Sequence, residues 1–300
     1  MALSVKRLGR TFFAEVRGPD LARVPDDATC RAIENALLEH AVLVFPGQPL
    51  TDAEQERFSR WFGPLEVTFE DDKYFVAHLS NIDDAGAIRD PNSRKSTFLR
   101  ANQQWHSDST VFQAPARYSF LSARAVPPEG GETQWADLRA AWDELPEQRR
   151  RELDGLVLEH DFQNSRIKAG HKFDAEQRKR WPPLRHPLVR VHEKTGRKAL
   201  YVGSQATHVV GWPLEKGVAL IEELIAYATQ ERFIYTHRWL QHDLVIWDNQ
   251  RVNHRGRPWD EEKYVRDLRR TTVKGRIPTM IGDQPVNEYE QAQLTEAWEE

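Results

Sequence analysis

Three hundred residues, 39% hydrophobic and 10% aromatic, suffice for a sizeable core and require no more than one large domain, residues 1–300. The 42 basic and 46 acidic side chains nearly cancel to a formal charge of -4, so no global field recruits nucleic acid or an anionic membrane. Cys30 is the single cysteine, which excludes an intrachain disulfide and a zinc site built from cysteines, and fits a reducing cytoplasm.

The opening MALSVKRLGRTFFAEV has no apolar core of signal-peptide length, and no later run approaches the roughly 18 apolar residues of a membrane span. A soluble, untargeted chain with a small-molecule partner is the expectation. DDATCRAIENALLEHAVLVFPGQPL predicts a helix, with Ala32, Ile33, Ala36 and Leu37 at helical spacing, then a buried strand from Ala41 to Phe45 ended by Pro46 and Gly47. Thr51, with Glu54 three positions on, predicts a capped helix whose apolar face carries Phe58, Trp61 and Phe62. From Glu66 to Arg100 the chain is polar and broken, which predicts a long surface loop, either a lid or a disordered excursion.

ARYSFLSARAV reads as a strand through Tyr118, Phe120 and Val126, and PPEGGETQWADLRAAWDELP as a turn followed by a helix from Asp137. The basic stretch around NSRIKAGHKFDAEQRKRWPP, 163–185, reads as a second loop, a lid or a solvated charged face. HPLVRVHEKTGRKALYVG is a hairpin signature, and Val218, Leu220, Ile221, Leu224 and Ile225 mark a helix. HDLVIWDN and RRTTVKG complete the strands. Short strands without βαβ alternation predict a mainly β fold with flanking helices, a jelly-roll (double-stranded β-helix) core. A doubly wound parallel sheet is disfavoured, because no Gly-rich phosphate loop follows a strand.

QWHSDSTVF places His106 and Asp108 two apart, so on a strand both side chains would point into one cavity. Alone, the pair reads equally as two hydrogen-bonded polar groups. His254, just after the apolar run LVIWDN, offers a third ligand. Two neutral histidines and one carboxylate make the facial triad of non-haem Fe(II) oxygenases, with positions left open for substrate and O2. Zinc more often takes three histidines or cysteines, and magnesium mostly oxygens. Such an iron needs a two-electron donor, most commonly 2-oxoglutarate, whose distal carboxylate a guanidinium neutralises best. Arg266, Arg269 and Arg270 follow His254 by twelve to sixteen positions. On an extended strand Arg266 and Arg270 share one face and Arg269 points away.

WHSDSTVFQAPARYSFLSARAVPPEGGETQWADLRAAWDELP, with DLVIWDNQRVNHRGR and RDLRRTT, resembles the Fe(II)/2-oxoglutarate dioxygenases of the taurine dioxygenase and chlorophenoxyacetate dioxygenase (TfdA-like) family. The resemblance runs from about residue 42 to about residue 276. It implies that His106, Asp108 and His254 hold iron, that Thr133 and Arg266 bind 2-oxoglutarate, and that Arg270 and Asn102 face the prime substrate. This chain carries one residue more between His254 and the arginines than the family pattern. The implied reaction couples decarboxylation of 2-oxoglutarate, to succinate and CO2, with hydroxylation of an unactivated C–H bond by O2. Hydroxylation beside an aryl ether yields a phenol and an oxo acid. Family members are commonly homo-oligomers.

VLVFPGQPL, NSR, HPLVRVH, GRKALYVG and HRGR resemble the chlorophenoxyacetate branch more than the taurine branch, which implies a small anionic aryloxyalkanoate as substrate. A taurine, alkyl sulfonate or alkyl sulfate substrate is the alternative, since the fork of Arg270 recognises either anion. His208 reads as a substrate neighbour or a structural hydrogen-bonder. A non-catalytic metal-binding jelly-roll protein and a zinc hydrolase are readings from other classes.

Overall fold

In the computed structural model, which describes residues 3–23, 25–67 and 74–287, each early helix starts where a side chain satisfies its free amides. Helix α1 (Asp27–His40) begins with Asp26 accepting from Thr29 N–H and ends at Ala41, whose φ of 61° turns the chain. Ala41 is therefore a helix cap, and the strand predicted from it starts one residue later. Helix α2 (Asp52–Arg60) has the complete capping box, Thr51 bonding the Glu54 amide while Glu54 returns to Thr51.

Seven strands form a major sheet, in spatial order β1 (Ser4–Arg7), β2 (Ala14–Arg17), β3 (Val42–Phe45), β13 (Leu244–Asp248), β5 (Tyr118–Ala125), β15 (Asp267–Val273) and β4 (Ala77–Ser80). Only β2 and β3 run parallel. A minor sheet of β12 (Ile234–His237), β6 (Thr133–Asp137) and β14 (Val252–Gly256) faces it. Trp135 and Val252 of the minor sheet pack with Leu121, Val245, Trp247 and Leu268 of the major sheet in one buried cluster. Two sheets, antiparallel but for the β2–β3 pair and closed over a shared interior, are the jelly-roll predicted from the short, non-alternating strands.

On its outer face the major sheet is covered by α1 and α2, with Ile33, Leu37 and Phe58 packed on Phe45, Phe120 and Ile246. A third cluster joins α4 (Leu138–Asp143), α5 (Glu147–Leu153) and α8 (Leu214–Ala228) to β7 (Val157–His160) and to the predicted hairpin, β9 (Val189–Val191) with β10 (Lys198–Leu200). Strands β8 (Leu184–Pro187) and β11 (Ala206–Val209) flank β7.

The two predicted loops contain regular structure. Within 66–100 lie β4 and helix α3 (Arg94–Arg100), while residues 68–73 fall outside the described residues. Within 163–185 lie most of α6 (Phe162–Lys168) and α7 (Ala175–Arg180). Helices of six or seven residues have no intrinsic stability in water, so tertiary packing decides them. Phe98 of α3 against Phe162 of α6, ring centroids 6.0 Å apart, is one such contact.

Candidate metal centre and its cavity

His254 sits in β14, and His106 is joined to it by an isolated antiparallel bridge with both backbone bonds formed, at 3.1 and 2.8 Å. The rings lie 4.2 Å apart between centroids. Asp108 is not on a strand with His106. It lies in a turn followed by Ser109 at φ 61°, and this turn, rather than strand alternation, brings the carboxylate round to the histidines. One ligand-capable atom from each of the three residues lies within 4.8 Å of the others, and all three residues are buried.

Each group is prepared by its neighbours. His106 Nδ1 lies 2.7 Å from the Gln104 carbonyl, which can only accept, so the proton is on Nδ1 and Nε2 keeps its lone pair. Burial pushes His106 down to about 4 and His254 well below the ordinary imidazole value, so both are neutral near pH 7. Burial alone would raise the carboxyl of Asp108, but the Arg270 guanidinium, with the two imidazoles, holds it well below the usual range. Asp108 Oδ1 accepts from Arg270 Nη1 and Oδ2 from the Ser119 hydroxyl, both at 2.7 Å. Asn249 accepts from the Asp108 amide at 3.2 Å and from Trp247 Nε1 at 2.9 Å, and donates to Ser119 at 2.9 Å.

His254 Nε2 and Asp108 Oδ2 are 3.8 Å apart, too far to share a proton, and among the described residues the buried His254 Nδ1 has no partner. Two neutral nitrogens and one anionic oxygen converging with no hydrogen bond among them fit a divalent ion of the iron or manganese kind, and fit zinc or magnesium less well.

The cavity beside this cluster is lined by His106, His254, Thr133, Asn102, Arg266 and Arg270, with Leu79, Leu121, Trp247 and Trp259 as apolar wall. Arg266 precedes β15, whose pairing with β5 shifts register between Asp267 and Leu268. Its Nε donates to Gly131 O at 2.9 Å and its Nη2 to Thr133 Oγ1 at 3.4 Å, while Trp259 covers its plane at 5.3 Å. Among the described residues no carboxylate pairs with it. Trp239 Nε1 donates to Thr133 Oγ1 at 3.0 Å. Arg269 lies outside the cavity, paired with Asp267 and, at 3.7 Å, with Asp52, as its odd offset from Arg266 and Arg270 predicts.

His208 is not brought to the cavity. It sits in β11, where a register irregularity against β7 leaves its Nδ1 3.1 Å from Thr207 Oγ1 and 3.9 Å from Glu159. Sequence reasoning missed Ser119, Asn249 and Glu66. Asn249 has a local signal, following the apolar run that ends in Trp247 and Asp248, but Ser119 is one serine among many. Glu66 is a buried carboxyl 2.5 Å from Ser109 Oγ, raised by burial to about 7.

The family model described as "Taurine catabolism dioxygenase TauD, TfdA family" matches residues 4–272. The chain belongs to this family. It is 43% identical over 282 residues, 91% of its length and 98% of the relative's, to the alpha-ketoglutarate-dependent 2,4-dichlorophenoxyacetate dioxygenase of Cupriavidus pinatubonensis. Against the (S)-phenoxypropionate/alpha-ketoglutarate-dioxygenase of Sphingobium herbicidovorans it is 38% identical, covering 86% of this chain and 91% of the other. The crystal structure of AAD-2 in complex with Mn(II) and N-oxalylglycine superposes with a TM-score of 0.88 at 37% identity, over 93% of this chain and 99% of that one. In this TauD/TfdA member no helix among the described residues is long and apolar enough to cross a membrane.

Proposed function

We propose that this chain is an Fe(II)- and 2-oxoglutarate-dependent dioxygenase that cleaves a small aryloxyalkanoate by hydroxylating the carbon next to its ether oxygen. The observation that carries the reading is the juxtaposition, at one cavity, of the His106, Asp108, His254 cluster with Arg266, a buried guanidinium with no carboxylate partner among the described residues. Iron with 2-oxoglutarate and O2 supplies the oxidising power, 2-oxoglutarate leaving as succinate and CO2.

The residues of the chain set the geometry. His106, Asp108 and His254 would hold the ion on one side, leaving the cavity side open. Arg266 would pair with the distal carboxylate of 2-oxoglutarate and Thr133 would donate its hydroxyl hydrogen to it, since Trp239 and Arg266 occupy its acceptor side. Arg270 and Asn102 would face the carboxylate of the prime substrate, and the leucine and tryptophan wall would seat the aryl ring and exclude water. The hydroxylated carbon then carries both a hydroxyl and an aryloxy group, a hemiacetal that breaks into a phenol and an oxo acid.

Succinate release with Fe(II), 2-oxoglutarate and a panel of aryloxyacetates, aryloxypropionates, taurine and alkyl sulfates tests the reading. Aryloxyalkanoates should give the highest kcat/KM with stoichiometric phenol. A preference for taurine or an alkyl sulfate overturns the substrate assignment, and no succinate with any compound overturns the reaction. Arg266→Ala should raise the 2-oxoglutarate KM by a hundredfold or so, the loss of a charge-assisted bidentate pair of about 3 kcal/mol.

A further inference from the structure

Arg166, in α6, is a second buried guanidinium near the metal cluster, and the reading above leaves it without a task. It is 7% exposed, and its plane rests over Phe162 at 4.5 Å and Phe98 at 5.0 Å. Among the described residues no carboxylate pairs with it. Burial pulls it down to about 9, with the Arg270 charge acting the same way and Asp108 against, so it remains a cation near pH 7. Nη1 donates to Ser165 Oγ at 3.2 Å, Nη2 donates to Asn102 Oδ1 at 3.3 Å, and the buried Nε has no acceptor among the described residues.

A guanidinium has donors and no acceptor. The atom of Asn102 that faces Arg166 must therefore be its oxygen, and the amide is fixed in one of its two orientations. Asn102 lines the cavity, and among the described residues its NH2 group has no partner. Arg270, the other group assigned to the substrate anion, already spends Nη1 on Asp108. The Asn102 NH2 group adds a donor to those that Arg270 keeps for an incoming carboxylate.

We propose that Arg166 is a positioning residue for anion recognition: it holds the Asn102 carboxamide with the NH2 group turned into the cavity, where that group donates to the substrate carboxylate. The proposal rests on the function proposed above and specifies how that site tells an acid from its neutral analogue. Phe98 and Phe162 hold the guanidinium in place by ring-face contact, so α3 and α6 take part in specificity through Arg166.

The test measures dissociation constants of 2,4-dichlorophenoxyacetate and of its neutral amide, by calorimetry on protein loaded with Mn(II) and 2-oxoglutarate, where no turnover occurs. Arg166→Met should weaken the acid roughly tenfold to a hundredfold, the loss of one hydrogen bond to a charged group. Asn102→Ala should do the same, and the double variant should be no weaker than either single one. Arg166→Lys, which keeps a charged donor and serves if the methionine variant does not fold, should recover part of the loss, and the amide, whose carbonyl accepts the same hydrogen bond without a charge, should lose clearly less than the acid in every variant. Unchanged acid binding in Arg166→Met, additive losses, or an equal loss for the amide overturns the proposal. If the wild type binds no aryloxyalkanoate, the substrate reading falls by itself, and the same variants titrated with an alkyl sulfate decide the role of Arg166 by the same criteria.

Discussion

Glu66 shows how one buried side chain constrains the behaviour of the protein. Its Oε2 accepts from Ser109, its Oε1 has no partner among the described residues, and burial raises its carboxyl from the ordinary value to about 7. Between the two values Glu66 binds more protons in the folded protein than in the unfolded chain, so its own contribution to stability is full below about pH 4.5 and is lost as pH rises through about 7. The shift corresponds to about 3 kcal/mol. Glu66→Gln removes this titration, so the stability difference between variant and wild type should move in the variant's favour by about that amount from pH 4.5 to pH 8. Urea unfolding at a series of pH values checks it, and parallel profiles would show that Glu66 is not the group responsible.

At the scale of elements, the turn before β6 and the start of β15 are fitted to each other. Gly131 has φ +68°, and a Cβ there would lie 3.0 Å from Arg266 Cδ and 2.9 Å from Pro127 Cγ. Gly131→Ala costs about 1–2 kcal/mol for the left-handed backbone alone and also presses on the guanidinium stem. The expected outcome is a Tm lower by several degrees and a 2-oxoglutarate KM raised about tenfold, with the KM of the aryloxyalkanoate changed far less. Thermal melts and separate saturation curves read the two effects, and equal changes in both KM values would place the damage elsewhere.

How far the sequence announces such features depends on what encodes them. The Thr51–Glu54 capping box and the hairpin of β9 and β10 rest on contacts a few residues long, and both are readable from the chain alone. Helices α3 and α6 are not, because RKSTFLR and FQNSRIK carry too few apolar residues for a face, and their packing partners lie far off in sequence. The ligand types in QWHSDSTVF are readable, but their convergence is not a matter of strand alternation. It depends on the bridge to His254 and the left-handed Ser109. Ser119 and Asn249, which fix the Asp108 carboxylate, become visible only when β5 and β13 are paired.

For the molecule as a whole, a site built from buried, unprotonated acceptors ties stability to the ion it takes. Mn(II) or anaerobic Fe(II) at about a hundred times its dissociation constant should stabilise the fold by about 2.7 kcal/mol, read as a rise in Tm. Asp108→Ala should abolish both that rise and succinate formation while the metal-free protein still melts cooperatively. An undiminished metal-dependent rise in Asp108→Ala would remove the carboxylate from the ligand set.

The bridge between His106 and His254 also places the centre in time. About half the chain separates the two residues, and β14, which carries His254, is held by its pairing with β6. While the polypeptide is being synthesised, the first two ligands have left the ribosome long before the third is made. A truncated product ending ahead of β14 holds an incomplete set, so the complete site exists only once β14 has been made.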